Sequence, residues 1–172
     1  MEIRFKRLRP EAKAPTRATE GSAGWDLYAV SHSIAKFPLI EYGTGVSVEI
    51  PKGYVGLIFP RSSICKMVMR LSNSVGVIDS DYRGEIKFFF DNTGVVFAEN
   101  VINNTDYKMY YNVDEYKEPI LRKTGMYSVG DRIGQLVIIP FPEINFVEVD
   151  ELTSTERAQG GFGSSGGISG AW

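Results

Sequence analysis

One cysteine and one histidine are present among the 172 residues, and these two scarcities exclude several kinds of chemistry. A single thiol, Cys65, cannot form an internal disulfide and is typical of proteins in a reducing cytosol. A structural zinc site of cysteine and histidine ligands needs more of these residues than the chain contains. A Ser-His-Asp or Cys-His arrangement would need His32, whose Ser-His-Ser surroundings predict a surface loop. Any catalytic chemistry is therefore expected to rest on carboxylates and a hard cation.

Long apolar runs and an excess of one charge are also missing. No stretch approaches the ~18 apolar residues of a membrane span, and the charged N-terminal segment lacks a signal peptide's apolar region. The net charge of −2 gives no basic field for long nucleic acid. We therefore expect one domain in the cytoplasm, or in a host cytoplasm for a viral protein, with neither a membrane nor long nucleic acid as partner. A small anionic ligand remains compatible, because a few arginines and backbone amides suffice to bind it.

Short strand-like segments separated by glycine and proline fill most of the sequence. One short helix is predicted to begin with Ser62 or Ser63 as its N-cap and to run through Met69. Many short strands with at most one helix are typical of an all-β barrel or sandwich. Apolar periodicity predicts strands at residues 3–8, 23–29, 46–50, 54–59, 107–113, 132–139 and 147–149.

Residues 73–92 contain two apolar runs on either side of a polar corner, a pattern that predicts a β-hairpin. The corner holds Asp79, Asp81, Tyr82 and Arg83, and in isolation it would be interpreted as a solvated acidic turn. A calcium loop is excluded, because Arg83 and Phe90 occupy the positions where an EF-hand requires Asp or Asn and Glu.

Three other polar features stand out from their surroundings. Asp26 lies within a short apolar strand, where it either faces solvent or needs a partner, and Gln135 has the same requirement if its strand is buried. The segment Pro-Arg-Ser-Ser at residues 60–63 is either an ordinary helix cap or a phosphate-binding turn. The Gly/Ser-rich residues 157–172 form either a flexible tail or an anion nest, with Phe162 between glycines and two serines following it.

Five segments in this order resemble the motifs of the trimeric dUTPase family. They are Ala-Gly-Trp-Asp-Leu-Tyr-Ala at 23–29, Pro-Arg-Ser-Ser at 60–63, Gly-Val-Ile-Asp-Ser-Asp-Tyr-Arg-Gly at 76–84, Gly-Asp-Arg-Ile-Gly-Gln-Leu at 130–136 and Arg-Ala-Gln-Gly-Gly-Phe-Gly-Ser-Ser-Gly at 157–166. Each motif alone is modest evidence, whereas five in the correct order identify the chain as a member of that family.

The resemblance implies a jelly-roll-like β-barrel that assembles into a homotrimer with three shared active sites. The implied reaction is hydrolysis of dUTP to dUMP and pyrophosphate with Mg²⁺, which limits uracil in DNA and supplies dUMP for dTMP synthesis. On this basis we expect a barrel domain at residues 1–156, interrupted by an insert at about 93–125, and a C-terminal arm at 157–172 that closes over an active site.

The resemblance also implies roles for individual residues. Asp79 would be the general base that activates water, Tyr82 would stack under the deoxyribose, and Asp26 would hold Mg²⁺ through water while substrate phosphates supply the inner ligands. The uracil-side residues would be Asn73, Gly76, Val77, Ile78 and, through its backbone, Lys87. The phosphate-side residues would be Arg61, Ser62, Ser63 and Gln135. In the arm, Phe162 would stack on uracil, and the γ-phosphate would be bound by the segment of Arg157, Gly163, Ser164 and Ser165.

Three departures from the family pattern qualify this interpretation. Trp25 stands where Tyr is commoner, and Gly134 replaces a usual Ala, a change expected to matter little. The connection at residues 93–125 exceeds the usual one by roughly twenty residues, as in some phage dUTPases whose insert has a regulatory or partner-binding role. The alternatives left open are a homologous dCTP deaminase, a bifunctional relative, and a dUTPase with an added regulatory protein partner bound through the insert.

Overall fold

The computed structural model describes residues 1–36, 39–67, 69–92 and 126–160. The chain divides into two compact units, Met1–Pro142 and Glu143–Trp172, and all regular elements of the described residues lie in the first. In chain order the elements are β1 (Arg4–Arg7), β2 (Trp25–Tyr28), β3 (Ser31–Lys36), β4 (Leu39–Gly43), β5 (Val46–Glu49), β6 (Tyr54–Pro60), the 3₁₀ helix η1 (Ser62–Lys66), β7 (Met69–Leu71), β8 (Gly76–Ile78), β9 (Lys87–Asn92) and β10 (Arg132–Pro140).

The strands form three antiparallel sheets. Strands β1 and β5 pair alone, and the two four-stranded sheets have the orders β2-β10-β6-β8 and β3-β4-β9-β7. This arrangement confirms the expected all-β, jelly-roll-like fold with one short helix. No helix in the described ranges is long and apolar enough to cross a membrane.

An aromatic cluster forms the centre of the core. Tyr42, Phe88 and Phe90 are fully buried, and the Tyr42 ring meets those of Phe90 and Tyr127 edge-on at centroid distances of 5.8 and 6.0 Å. Burial of a large apolar side chain contributes about 1.5–3 kcal/mol, so this cluster is a major part of the folding free energy. Burial also raises the pKa of Tyr42 to about 12, which keeps its hydroxyl protonated and able to donate to the Tyr127 carbonyl oxygen at 3.2 Å.

The predicted β-hairpin at residues 73–92 is wrong. Strand β8 pairs with β6, whereas β9 pairs with β4 and β7 in the other four-stranded sheet. The polar corner after β8 is therefore a crossover between two sheets rather than a hairpin tip. Alternating apolar residues predict a strand but not its partner, because pairing is decided by long-range packing.

Other local predictions also failed. The short helix is the five-residue η1, its N-cap is Arg61, and no side chain caps it. His32 is exposed as expected, but it lies in β3 rather than in a loop. Residues 147–149 form no strand, and the strand predicted at 107–113 lies outside the described residues.

A β-bulge in β10 shapes the sheet where the first motif, on β2, meets the fourth motif, on β10. Arg132 pairs with Tyr28 and Gly134 with Leu27, so β10 uses one more residue than β2 over this stretch. Residues three apart on a regular strand point to opposite faces. The extra residue cancels that alternation and turns the side chains of Arg132 and Gln135 to the same face.

The expectation that Gly134 matters little is contradicted by its surroundings. Gly134 is buried, and a Cβ built there would overlap the ring of Phe88 and approach the Phe59 carbonyl oxygen at 2.9 Å. Phe88 occupies the space that a side chain at position 134 would need. The missing methyl group therefore makes room for the aromatic core.

We predict that Gly134→Ala destabilises the protein by about 1–3 kcal/mol, because overpacking displaces the Phe88 ring. Urea unfolding measures the loss. Gly21→Ala is the matched control, since a Cβ at Gly21 meets nothing within 4 Å. Combining Gly134→Ala with Phe88→Leu should cost less than the sum of the two single changes, and simple additivity would contradict the proposed overlap.

Candidate active site

A buried carboxylate with three side-chain donors is the first feature of the site. Asp26 on β2 is only 1% exposed. Its Oδ1 accepts hydrogen bonds from Arg61 Nε at 3.0 Å and Gln135 Nε2 at 3.2 Å, and its Oδ2 accepts one from Arg132 Nη1 at 3.2 Å. A buried charge is stable only when it is paired and hydrogen-bonded, and these contacts meet that requirement.

Strand register explains why these four side chains meet. Gln135 lies opposite Asp26 on β2 and opposite Phe59 on β6. Arg61 follows Phe59 by two residues, and this spacing favours an Arg61 side chain on the same face of the sheet as those of Phe59 and Gln135. The bulge adds Arg132 to that face. We name Asp26, Arg61, Arg132 and Gln135 the Asp26 cluster.

The Asp26 cluster can hold a metal ion only through a water molecule, not by direct ligation. An ionised carboxylate has about four acceptor positions, and three of these are used by the arginines and the glutamine. The free position on Oδ2 can accept a hydrogen bond from a metal-bound water, whereas direct ligation would compete with the two guanidinium groups. Among the described residues no group of three or more His, Cys, Asp or Glu could hold a metal ion. A hard cation that keeps its waters and is bound mainly by ligand phosphates fits these residues.

A second carboxylate has the opposite environment. Asp79 directly follows β8, is exposed, and makes no side-chain hydrogen bond or ion pair within the described ranges. It lines an open pocket of ≈ 970 Å³. The turn that follows is held by a hydrogen bond from Tyr82 N to the Asp79 carbonyl oxygen at 3.1 Å. Arg83 donates to the carbonyl oxygens of Ser80 and Tyr82, at 2.7 and 2.9 Å. The backbone around Asp79 is therefore fixed while its carboxylate remains available.

Tyr82 presents an aromatic surface in the turn that follows Asp79. Its hydroxyl donates to the Glu85 carbonyl oxygen at 3.0 Å, and its ring occupies the space where a Cβ on Gly84 would lie. The side chain is 43% exposed, so one part of the ring is anchored while another faces solvent. A glycine at position 84 is required for this close approach.

Strand β8 offers unpaired backbone groups next to Asp79. It is the terminal strand of its sheet, so one backbone edge has no neighbouring strand among the described residues. Gly76 and Ile78 are buried, whereas Val77 is 61% exposed. The exposed Asn73 precedes this edge in a turn closed by a hydrogen bond from Val75 N to the Asn73 carbonyl oxygen. An edge of this kind can pair with a planar ligand that carries donors and acceptors.

The Lys87 side chain forms an ion pair at the protein surface. Its ammonium group donates to Glu41 Oε1 at 2.7 Å, and this hydrogen bond is the main reason that the pKa of Lys87 is raised. Only the backbone of Lys87 remains available to line a pocket, as the resemblance implies.

The two carboxylates lie at opposite ends of β6. The register of β8 on β6 places Asp79 beside Val55, since Ile78 pairs with Gly56. Arg61 lies six residues further along, and at ~3.3 Å per residue this separation is about 20 Å. The Asp79 pocket accordingly includes no member of the Asp26 cluster.

The predicted site residues therefore fall into separate groups. Asp26, Arg61 and Gln135 meet in the Asp26 cluster, with Ser62 and Ser63 directly following Arg61 in η1. Gly76, Val77 and Ile78 form the edge strand β8, which Asn73 precedes and which Asp79 and Tyr82 follow. Arg157 belongs to the second unit, where its Nε donates to the Gly160 carbonyl oxygen at 3.0 Å. Phe162, Gly163, Ser164 and Ser165 lie outside the described residues.

Arg132 is a site residue that the sequence analysis missed. It belongs to the fourth motif, but regular alternation along a strand places it on the face opposite to Gln135. Two glycines could have signalled the irregularity. Gly130, with a positive φ of 95°, and Gly134 lie on either side of Arg132, and glycine within a strand often marks a bulge.

A buried acid between arginines and an exposed acid beside an edge strand are both compatible with binding of a small phosphorylated ligand. The family model described as dUTPase matches residues 10–99 and 122–166. The chain therefore belongs to the dUTPase family, as the five motifs indicated. It is a dUTP diphosphatase, an enzyme that hydrolyses dUTP.

Curated relatives and solved structures agree with this membership. The deoxyuridine 5'-triphosphate nucleotidohydrolase of Hydrogenobaculum sp. (strain Y04AAS1) is 37% identical over 169 residues, covering 96% of this chain and 99% of its own. The dUTPase of Staphylococcus bacteriophage 80alpha with dUpNHpp has a TM-score of 0.71 and 30% identity, covering 96% of this chain and 98% of its own.

A third similar protein bears on the cofactor. A variant of the dUTPase from phage phi11 of S. aureus coordinates a structural Mg(II) ion; it has a TM-score of 0.67 and 25% identity, covering 88% of this chain and 98% of its own. The same phage enzyme has a species-specific insert. Membership in this family supports a divalent metal as cofactor.

We predict that Asp26→Asn lowers the free energy of unfolding by about 1–3 kcal/mol, because two guanidinium groups lose their shared carboxylate. Both arginines are partly exposed, and solvent screening keeps the loss below that of a fully buried pair. Urea unfolding measures the change. The matched control is Asp91→Asn, which removes an exposed pair with Arg70 and should cost less than about 1 kcal/mol. Equal losses in the two variants would contradict a special role for the buried carboxylate.

Proposed function

We propose that Asp79 is the general base of dUTP hydrolysis and that its carboxylate activates a water molecule for attack at the α-phosphorus. The contrast between the two carboxylates carries this proposal. Asp26 is buried and accepts three side-chain hydrogen bonds, whereas Asp79 is exposed and has no such partner in the described part of the chain. A base must have oxygen atoms available to orient water and to accept its proton, and Asp79 meets that condition better, because three of the about four acceptor positions of Asp26 are already occupied. The products are dUMP and pyrophosphate.

The edge of β8 is proposed as the uracil site. Uracil presents an acceptor, a donor and an acceptor along one edge, which complements backbone N–H and C=O groups of Gly76, Val77 and Ile78. The Asn73 side chain and the backbone of Lys87 complete this pocket. Tyr82 would pack its exposed ring under the deoxyribose and exclude a 2′-hydroxyl by contact. The anchoring of Tyr82 on Gly84 supports this role, because a fixed ring discriminates by shape.

The phosphate side of the site is proposed to be the Asp26 cluster and the start of η1. Arg61, Ser62, Ser63 and Gln135 would donate to phosphate oxygens, and the ion pair with Asp26 orients the Arg61 guanidinium before the ligand arrives. Mg²⁺, when bound with the triphosphate, supplies electrostatic stabilisation of the charge that develops on the phosphates. Asp26 would accept a hydrogen bond from one of its waters through the free position on Oδ2.

A homotrimer with shared active sites is also proposed, and the separation along β6 supports a site shared between copies. About 20 Å separates the backbone of Asp79 from that of Arg61 along β6, and this distance favours a site in which the two residues come from different copies. One copy of the chain would therefore contribute Asp79 and the uracil pocket, and another would contribute the Asp26 cluster. The arm with Arg157, Phe162, Gly163, Ser164 and Ser165 would close the site over uracil and the γ-phosphate.

The insert at residues 93–125 is proposed to bind a regulatory protein partner. The dUTPase family model leaves residues 100–121 unmatched, and phage dUTPases similar to this chain are described as controlling the transfer of virulence genes. Asn92, the last described residue before the insert, pairs with Met69. Met69 lies a few residues after Ser63, at the end of the proposed phosphate-binding segment. A cytoplasmic location, where dUTP is available, is part of the same proposal.

We predict that Asp79→Asn reduces kcat by at least about a thousandfold, because the amide cannot accept the proton of the attacking water. Affinity for dUpNHpp should change little. Pyrophosphate release from dUTP and calorimetric binding measure the two quantities. Asp81→Asn is the matched control, since Asp81 is also an exposed acid of the corner. A near-wild-type rate for Asp79→Asn would refute the assignment of the base.

We predict that two inactive variants restore activity when they are mixed, because each site takes Asp79 and Arg61 from different copies. Asp79→Asn and Arg61→Ala are refolded together in equal amounts, and about a quarter of the sites in random trimers should contain both native residues. Pyrophosphate release measures the recovery. Co-refolding with no recovered activity, while wild-type protein recovers under the same conditions, would show that one chain supplies both residues.

A further inference from the structure

Two buried hydroxyl side chains lie outside all five motifs. Asp26, Thr44 and Ser47 are the polar or charged residues that are buried in the described part of the chain, and only Asp26 belongs to a motif. Thr44 is 1% exposed and lies between β4 and β5, and Ser47 is 6% exposed and lies in β5 with a buried residue on either side. A buried hydroxyl needs hydrogen-bond partners, so the partners of these two residues indicate what they do.

Both hydroxyls donate to the backbone of residues 83–86, the end of the corner that begins at the proposed base. Ser47 Oγ donates to the Arg83 carbonyl oxygen at 2.7 Å, and Thr44 Oγ1 donates to the Ile86 carbonyl oxygen at 2.7 Å. Residues 79–86 belong to no strand, because β8 ends before them and β9 begins after them. The two side chains therefore supply hydrogen bonds to a segment that lies outside the regular sheets.

Two further hydrogen bonds join the same two segments. Ile86 N donates to the Val46 carbonyl oxygen at 2.8 Å, and Gly45 N donates to Glu85 Oε1 at 2.7 Å. Together with the two hydroxyl contacts, these bonds fasten the end of the corner to residues 44–47, which belong mainly to a different sheet. The position of the corner thus depends on residues far from it in the sequence.

A chain of contacts leads from Ser47 to the proposed base. Ser47 holds the carbonyl group of Arg83, and the Arg83 guanidinium donates to the carbonyl oxygens of Ser80 and Tyr82. Tyr82 N in turn donates to the Asp79 carbonyl oxygen. The backbone of the base and that of the aromatic residue beside it are therefore connected to a buried hydroxyl of β5.

We propose that Thr44 and Ser47 are positioning residues for dUTP hydrolysis. Their hydroxyls fix the backbone that sets Asp79 against the attacking water and places the Tyr82 ring under the deoxyribose. This inference rests on the proposed roles of Asp79 and Tyr82. A catalytic group that is displaced by ~1 Å can lose on the order of 10²-fold in rate, so hydrogen bonds that touch no substrate can still govern turnover.

Two substitutions at Thr44 separate the hydroxyl from the shape of the side chain. Thr44→Val removes the donor and keeps the volume, whereas Thr44→Ser keeps the donor and removes a methyl group. We expect Thr44→Val to lower kcat for dUTP about tenfold with KM within about twofold, and to lower the preference in kcat/KM for dUTP over UTP at least about threefold. Thr44→Ser should retain kcat within about twofold, although its unfolding temperature falls because a cavity is left.

Ser47→Ala tests the second hydroxyl with a smaller change, and we expect the same decrease in kcat and in the preference for dUTP. The matched control is Ile40→Val, a buried change in β4 that removes none of these hydrogen bonds. Ile40→Val should lower the unfolding temperature while kcat and the preference stay within about twofold of wild type. Pyrophosphate release is measured well below the unfolding temperature of every variant, so that all of them are folded.

The outcomes distinguish this inference from the proposed function. If Thr44→Val and Ser47→Ala keep the wild-type kcat and preference while Asp79→Asn is inactive, the inference is overturned and the assignment of the base stands. If kcat falls in all variants, Thr44→Ser and Ile40→Val included, in proportion to their unfolding temperatures, the hydroxyls have only a structural role and the inference is also overturned. An active Asp79→Asn variant would remove the proposed base and the inference with it. If Thr44→Val does not fold, Ser47→Ala decides alone.

Discussion

The buried carboxylate of Asp26 is the interaction on which the proposed phosphate site depends. It connects β2 to the end of β6 and to β10 through Arg61, Arg132 and Gln135. Because a charge in the core must be paired, the fold holds two guanidinium groups at fixed positions near the surface. In the proposed function, those groups would be oriented for an anionic ligand before it binds, so that less ordering is required on binding.

The length of β6 imposes the second constraint. One end of the strand adjoins Asp79 and the other leads into Arg61, and the pairing with β10 and β8 fixes the distance between them. Under the proposed function, assembly of copies would join the uracil-binding edge of one chain to the phosphate-binding cluster of another.

Local sequence patterns predicted the strands around the motifs well and their partners poorly. The alternation of Val46, Val48 and Ile50 identified β5 and its neighbourhood, and the Gly130–Asp131 turn preceded β10 as expected. The hairpin after Asn73 was wrong because β8 and β9 join different sheets. Arg132 was missed because the bulge that turns it toward Asp26 arises from pairing with a strand more than 100 residues away.

The sequence by itself determined the chemical inventory: carboxylates instead of histidine or thiol catalysis, five motifs in the order of the dUTPase family, and an insert between the third and fourth motifs. The tertiary structure decided which of these groups meet. It separated a buried Asp26 from an exposed Asp79 and gave Gly134 a steric role beneath Phe88. The physical reason is that composition and periodicity are local, whereas register, burial and close packing depend on residues distant in the chain.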